Sequence, residues 1–241
     1  MLITIALIIL ILYIAIKGNS IKGRVGESLV SSILEQIPGN KKIINNIMIN
    51  DNGKSRQIDH IFISEKGIFI IETKNYAGNI YGKETSDEWK QYFKNRNFKL
   101  KNPIFQNYGH KKIVSKIINN EELVVPIVVF TTRCNLKVEA NKNAVLYTTQ
   151  LSQFIQNQPQ RMKQEEIDIF YNQILSNRIM DEETINHHNE NVRHYVKYKE
   201  DLKQKNICPR CYGQLIVKKG RYGDFLGCSN YPKCRYTKNI W

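Results

Sequence analysis

The stretch Ile68-Phe69-Ile70-Ile71-Glu72-Thr73-Lys74 limits the fold more than any other part of the chain, because an uninterrupted apolar run ends in two charges. Side chains alternate between the faces of a strand, so such a run must be covered on both sides and belongs inside a sheet. A second apolar run, Ile58-Asp59-His60-Ile61-Phe62-Ile63, lies just before it, and Ser64-Glu65-Lys66-Gly67 between them reads as a tight turn. With Ser64 opposite Gly67, the hairpin brings Asp59 across from Glu72. Lys74 then points the same way as Glu72. Ile61, Ile63, Ile68 and Ile70 are expected to share that face, with Ile58, Phe62, Phe69 and Ile71 on the other. A buried carboxylate is costly unless it is paired or bound to metal. Two carboxylates and an amine on one buried face therefore suggest a hard-metal site with a cationic partner, rather than a solvated strand end.

The elements around this hairpin alternate between helix and strand. Residues 21–37 carry Val25, Leu29, Ile33, Leu34 and Ile37 at helical spacing, and Pro38-Gly39 stops the helix. Ile43 to Ile49 reads as a strand and Asn52-Gly53 as a turn; Ile80-Tyr81 reads as a short strand. From Asp87 to Leu100 aromatic and basic residues interleave, which suits a partly exposed meander packed by its rings better than a stacking surface. Pro103 sits at a first helical position, and the helix runs to about Asn119 with Phe105, Ile113, Ile117 and Ile118 as its apolar residues. Val124 to Thr131 is a buried strand in which Pro126 suggests an irregularity. A short strand, 145–148, and a short helix, 151–156, follow. Ile167, Phe170, Tyr171, Ile174 and Leu175 form an apolar helical stripe suited to docking on the core. His60 and Cys134 read as structural, and His187, His188 and His194 as solvated.

Several of these pieces together resemble a known family. Asp59 followed by Glu72-x-Lys74 resembles the PD-(D/E)xK nuclease signature, and residues from about 22 to 156 resemble the NERD (nuclease-related) domain. Gly23-Arg24-Val25-Gly26-Glu27 is similar to that family's opening Gly-x-x-Gly-Glu, Gln57-Ile58-Asp59-His60 to its Asp strand, and Asn102-Pro103-Ile104-Phe105-Gln106 to its Asn-Pro-x-x-Gln helix start. The resemblance implies an α/β, restriction-endonuclease-like mixed sheet flanked by helices. It also implies a phosphodiester-cleaving site in which Asp59 and Glu72 hold Mg²⁺ or Mn²⁺. Lys74 would orient or help deprotonate the attacking water and offset phosphate charge. Glu27 would complete the metal shell, and Gln106 would reach the site or a phosphate.

Two further segments flank this domain. Residues 1–16, MLITIALIILILYIAI, contain no charged side chain, and Lys17, Lys22 and Arg24 follow. Lacking a basic leader and a small-x-small cleavage site, the run reads as a retained single-pass anchor rather than a cleaved signal peptide. The positive charges after it place the C-terminal bulk in the cytoplasm. Near the other end, Cys208-Pro-Arg-Cys211 and Cys228-Ser-Asn-Tyr-Pro-Lys-Cys234 have the spacing of a tetrahedral zinc site. Residues 208–241 resemble the zinc ribbons of bacterial type I topoisomerases through Phe225-x-x-Cys228-x-x-Tyr231-Pro232, a likeness that implies single-stranded DNA binding. The net charge of +14 fits a polyanionic partner, nucleic acid or an anionic membrane. Tyr212, Tyr222, Phe225, Tyr231, Tyr236 and Trp241 supply rings for stacking. The expected organisation is therefore an anchor over 1–17, a nuclease-like domain over 18–158, a helical extension and spacer over 159–206, and a four-cysteine ribbon over 207–241. The expected function is a membrane-anchored, metal-dependent nuclease acting on nucleic acid, with DNA the favoured polymer. The alternative is a non-catalytic binding or scaffold protein that keeps the fold.

Overall fold

The computed structural model describes residues 23–179, apart from 52 and 95, and residues 197–240, apart from 221 and 222. The anchor expected over 1–17 lies outside the described residues. So do Arg221, Tyr222 and Trp241 of the ribbon, and most of the 181–206 spacer. Among the described residues, no helix is long and apolar enough to cross a membrane. The chain divides into two compact units, with the boundary after Ile179.

The first unit is mixed α/β. Helix α1 covers 23–36. Strands β1 (Lys41–Asp51), β2 (Lys54–Ser64), β3 (Gly67–Lys74), β4 (Gly78–Lys83), β5 (Glu88–Phe93) and β6 (Arg96–Lys101) come next. Then follow α2 (Pro103–Ile118), β7 (Val124–Phe130), β8 (Cys134–Glu139), β9 (Ala144–Tyr147), α3 (Thr148–Gln156) and α4 (Gln164–Ser176). A five-stranded sheet has the order β1-β2-β3-β7-β9, with β3 at its centre. It is antiparallel from β1 to β3 and parallel from β3 to β9. A second sheet, β6-β5-β4-β8, is formed by the strands that leave the C-terminal ends of β3 and β7.

The central position of β3 accounts for its sequence. Ile68 and Ile70 pack with Ile61 and Ile63 against α2 and α4, in a core that includes Val114, Ile167 and Ile174. Phe69 and Ile71 pack with Phe62 on the opposite face, against Val30 and Leu34 of α1 and Leu151 and Ile155 of α3. Ile68 to Ile71 are fully buried, and each such side chain contributes about 1.5–3 kcal/mol. The turn fixes the register as the sequence suggests: Ser64 pairs Gly67 and His60 pairs Ile71.

Several expected details differ. Ile58 lies in the core with Ile61 and Ile63, not beside Phe62. Strand β1 switches faces at the same level, since Ile44, Ile47 and Ile49 all join that core. Asn46, in the left-handed region at φ 53°, interrupts the β1–β2 ladder opposite Asp59 and breaks the alternation. In α1 the buried line is Gly26, Val30 and Leu34, whereas Val25 and Leu29 are exposed. A Cβ on Gly26 would lie 2.9 Å from Cβ of Asn75, so the missing side chain lets α1 approach the end of β3. Phe105 is also exposed. Pro126 sits in regular pairing with Ile70 on β3, while β9 begins pairing only at Ile127, so no ladder bond is lost on that side.

Asn102 ties α2 to the second sheet. Its Oδ1 accepts from the Ile104 N–H, and its Nδ2 donates to the Glu84 and Ser86 carbonyls at 3.0 and 2.7 Å. The side chain is buried, so Asn102→Ala leaves several backbone groups without partners. The expected loss is about 2–4 kcal/mol of stability, read as a lower urea midpoint. A loss under about 0.5 kcal/mol would mean that this cap does not hold the helix start.

Candidate functional site

The C-terminal end of β3 gathers the charged residues of the first unit. The β2–β3 ladder stops at His60–Ile71, and Asp59 Oδ2 then accepts the Thr73 N–H at 2.9 Å. This bond fixes the Asp59 carboxylate beside Glu72. Glu72 is 2 % exposed; its Oε1 accepts from Lys74 Nζ at 2.5 Å. Lys74 also donates to Gln106 Oε1 at 3.2 Å, which brings the first turn of α2 into the site. Glu27, half-buried on α1, lies within electrostatic reach of Asp59, Glu72 and Lys74. The five residues singled out in the sequence thus converge, on two helices and the end of a strand pair.

The electrostatics follow from burial. Asp59 is raised to about 7 by desolvation and then by the Glu72 charge, with the Thr73 N–H and Lys74 opposing. Glu72 is raised by burial against the pull of Lys74. Glu27 is raised by burial and by Asp59. For Lys74, burial works against the ammonium, but Glu72, Tyr76 and Asp59 outweigh it and the net shift is upward. Lys74 is thus a cation at neutral pH, and its charge, more than its basicity, is what it can contribute.

His110 is a site residue that the sequence did not single out. It lies one turn beyond Gln106 on α2, and its Nδ1 is 3.6 Å from Glu72 Oε2. Neither atom has a hydrogen-bond partner. Burial and then Lys74 push His110 down to about 4, so it faces Glu72 as a neutral ring. The i, i+4 spacing from Gln106 was the available signal. Asn107, beside it, donates to the Ile70 and Ile127 carbonyls at 2.9 Å each and so joins α2 to β3 and β7. His60 and Cys134 sit away from this chemistry. His60 is buried against Asn45, and Cys134 is pushed up to about 11 by burial.

Magnesium is usually held by one or two carboxylates and completes its shell with water and substrate phosphate. Asp59 and Glu72 meet that requirement. The buried Glu72 Oε2 without a donor, and carboxyl groups raised by burial and, at Asp59, then by the Glu72 charge, are features that a bound cation would relieve.

The second unit is built around four thiols. Helix α5 covers 197–204 and precedes β10 (Leu215–Gly220), β11 (Gly223–Cys228) and β12 (Thr237–Asn239), which form one antiparallel sheet. The Sγ atoms of Cys208, Cys211, Cys228 and Cys234 lie within 4.8 Å of one another. Cys211 and Cys228 are 3.3 Å apart, and Cys208 and Cys234 3.7 Å. A zinc tetrahedron with bonds of about 2.3 Å has edges of roughly 3.8 Å, which this cluster matches. The backbone N–H of Asn230 points at Cys228 Sγ, and Asn230 Nδ2 at Cys211 Sγ, both at 3.4 Å, as donors to thiolates would. Among the described residues this is the one close group of three or more metal-ligating side chains. Beside it lies a groove of about 300 Å³, lined by Phe225, Tyr231 and Tyr236 with Lys218 and Arg235.

Comparison with known proteins finds a match in each of the two units. Residues 22–131 match the nuclease-related domain, NERD, and residues 205–241 match the topoisomerase DNA-binding C4 zinc finger. An uncharacterized protein of Bacillus anthracis is 33 % identical over 168 residues, covering 67 % of this chain and 79 % of that protein. The chain belongs to the nuclease-related domain family. DNA topoisomerase 1 of Methanocaldococcus jannaschii is 56 % identical over 45 residues, 19 % of this chain and 6 % of the topoisomerase. The Helicobacter pylori DNA topoisomerase 1 is 44 % identical over 46 residues, again 6 % of its length. These likenesses to topoisomerases each cover about a fifth of this chain. No solved structure matches the chain.

In this NERD protein the ribbon is too small to rely on an apolar core, since its buried cluster consists of Leu215 and cysteines. Metal should supply its stability. Protein purified without chelator is expected to carry one zinc per chain by elemental analysis, and Cys228→Ser to lose it. A stoichiometry far below one would remove zinc from the ribbon.

Proposed function

We propose that the chain is a membrane-anchored, metal-dependent nuclease that hydrolyses phosphodiester bonds, with DNA the favoured polymer, and that its zinc ribbon grips single strands. The observation that carries this reading is the convergence of Asp59, Glu72 and Lys74 at the end of a buried central strand in a mixed five-stranded sheet. Asp59 and Glu72 would hold Mg²⁺ or Mn²⁺, which supplies charge neutralisation and an acidified water. Glu72 is kept in place by Lys74, and Asp59 by the Thr73 N–H. The Lys74 ammonium offsets phosphate charge in a site where burial strengthens the interaction. Gln106 orients Lys74 from α2, and Glu27 adds a third carboxylate from α1.

The ribbon supports a separate grip. Tyr231 is exposed, and Lys218 Nζ lies 5.0 Å from its ring centre, which pairs a stacking surface with a phosphate-seeking cation. Single strands offer bases to such rings, whereas a duplex keeps its bases stacked.

Cleavage of labelled DNA and RNA in Mg²⁺ and Mn²⁺ tests the catalytic reading. Lys74→Ala is expected to lower the rate about 10²–10³-fold without rescue by metal. Asp59→Ala should abolish cleavage at low metal and recover partly in excess Mn²⁺. Circular dichroism checks that both variants fold. Wild-type cleavage unchanged by Lys74→Ala points to a contaminant or another site. No cleavage by wild type on either polymer favours the scaffold alternative.

The anchor rests on the uncharged run 1–16 with basic residues only after it. The full chain is expected in the membrane pellet after a high-salt wash, and an 18–241 form in the supernatant. Equal solubility of the two would overturn anchoring and, with it, the cytoplasmic orientation.

A further inference from the structure

The second sheet of the first unit has one face in solvent. Ile80, Trp89, Leu136 and Val138 fill the other face and join the core beside Phe130. A Cβ on Gly82 would meet the Trp89 ring at 2.3 Å, so the indole lies directly on β4. The alternation of these strands leaves Asn79, Tyr81, Tyr92, Asn97, Asn135 and five lysines on the open side. At its centre Tyr81 and Tyr92 meet edge to face, with ring centres 5.3 Å apart; both rings are exposed, at 38 % and 41 %.

Charge is unevenly matched on this face. Its two carboxylates are each covered by a lysine, Glu139 by Lys83 and Glu88 by Lys99. Among the described residues, no carboxylate pairs with Lys90, Lys101 or Lys137. Lys137 instead lies 5.1 Å from the Tyr81 ring centre and donates to its hydroxyl at 3.1 Å. The ring is thereby held in one place on a rigid strand.

We infer that the outer face of the β6-β5-β4-β8 sheet, with Tyr81 and Tyr92 at its centre, is a binding surface for single-stranded nucleic acid. Open rings on a flat sheet offer stacking platforms to unpaired bases, lysines along the neighbouring strands offer phosphate contacts, and asparagine carboxamides can bond base edges. An anionic membrane would also seek the lysines, but it rewards protruding aliphatic or tryptophan side chains, and this face presents none. Continuity with the site supports the same occupant. Strand β4 begins at Gly78, four residues after Lys74, and β8 at Cys134, four residues after Phe130, the partner of Lys74 on β7. A strand lying on this sheet is therefore held by elements that grow directly out of the catalytic end. The inference rests on the nucleic-acid reading of the first unit but does not require turnover.

The test uses the full chain with metal chelation kept mild enough to spare zinc, Ca²⁺ in place of Mg²⁺, and a bromodeoxyuridine-substituted single-stranded 20-mer. Ultraviolet crosslinks are expected at Tyr81 or Tyr92 in addition to the ribbon. Tyr81→Leu with Tyr92→Leu should weaken binding roughly tenfold or more. Lys90→Gln with Lys101→Gln, which leaves the rings in place, should make the log–log salt slope less negative by about 1. Crosslinks confined to 208–240, with affinity and salt slope unchanged in both double variants, would overturn the proposal. So would an unchanged oligonucleotide affinity accompanied by weaker binding to phosphatidylserine vesicles. A wild type that binds through this face but cleaves nothing in Mn²⁺ retires the catalytic reading and leaves the surface standing.

Discussion

Almost everything in the first unit follows from burying the Glu72 carboxylate at the end of an apolar central strand. An isolated charge in such a place costs several kcal/mol, so it must be met by a cation, by donors or by a proton. Lys74 meets one oxygen. The other oxygen faces His110, a neutral ring beyond normal hydrogen-bond distance. Asp59 adds a second acid to the same region instead of relieving the first. Structural ion pairs are arranged to cancel; here two acids are brought together and one Glu72 oxygen is left without a donor. That imbalance distinguishes the cluster from an ordinary salt bridge, and it lies in the carboxylates rather than in the lysine.

The hairpin was legible because two simple rules coincided. A four-residue turn sets which residues lie opposite, and period-two alternation sets which share a face, so Asp59, Glu72 and Lys74 could be brought together from spacing alone. The alternation failed where the backbone left the β region. Asn46 at positive φ switches both strands to the other face, and nothing in an Asn-Asn pair announces that choice between turn and strand. The α1 stripe was misjudged for a related reason. Hydrophobicity selected Val25 and Leu29, but helix position is set by the closest backbone approach, and Gly26 provides it. His110 was missed because its significance depends on which face of α2 meets β3. Asn107, bonded to two strand carbonyls, decides that face, and a sequence shows only that a polar residue sits in a helix.

The two units are held together by different physics. The first buries branched aliphatics on both faces of one sheet, so its core does not depend on a metal. The second has four cysteines and Leu215 at its centre, so its folding and its metal content are one equilibrium. The spacing of those cysteines was therefore readable at once, since ligand chemistry leaves few alternatives. The open face of the second sheet was not. Its residues come from four strands that are not all neighbours in sequence, and interleaved rings and lysines between 87 and 100 look alike whether they point inward or outward. Trp89 and Leu100 do point inward, while Tyr92 and Lys99 do not.

The same undersatisfied acids set how the site responds to pH. Asp59 has a folded value raised to about 7 against an ordinary value of 3.8, so between those limits the native state binds the extra proton. Stability of the metal-free protein therefore falls as pH rises through that window, and the penalty is fully present above about 7. A divalent cation bound as proposed would reverse the preference, because it favours the charged carboxylate that burial disfavours. Proton and cation would thus be alternative occupants of one site, with acid favouring the proton that burial already favours and neutral pH favouring the cation.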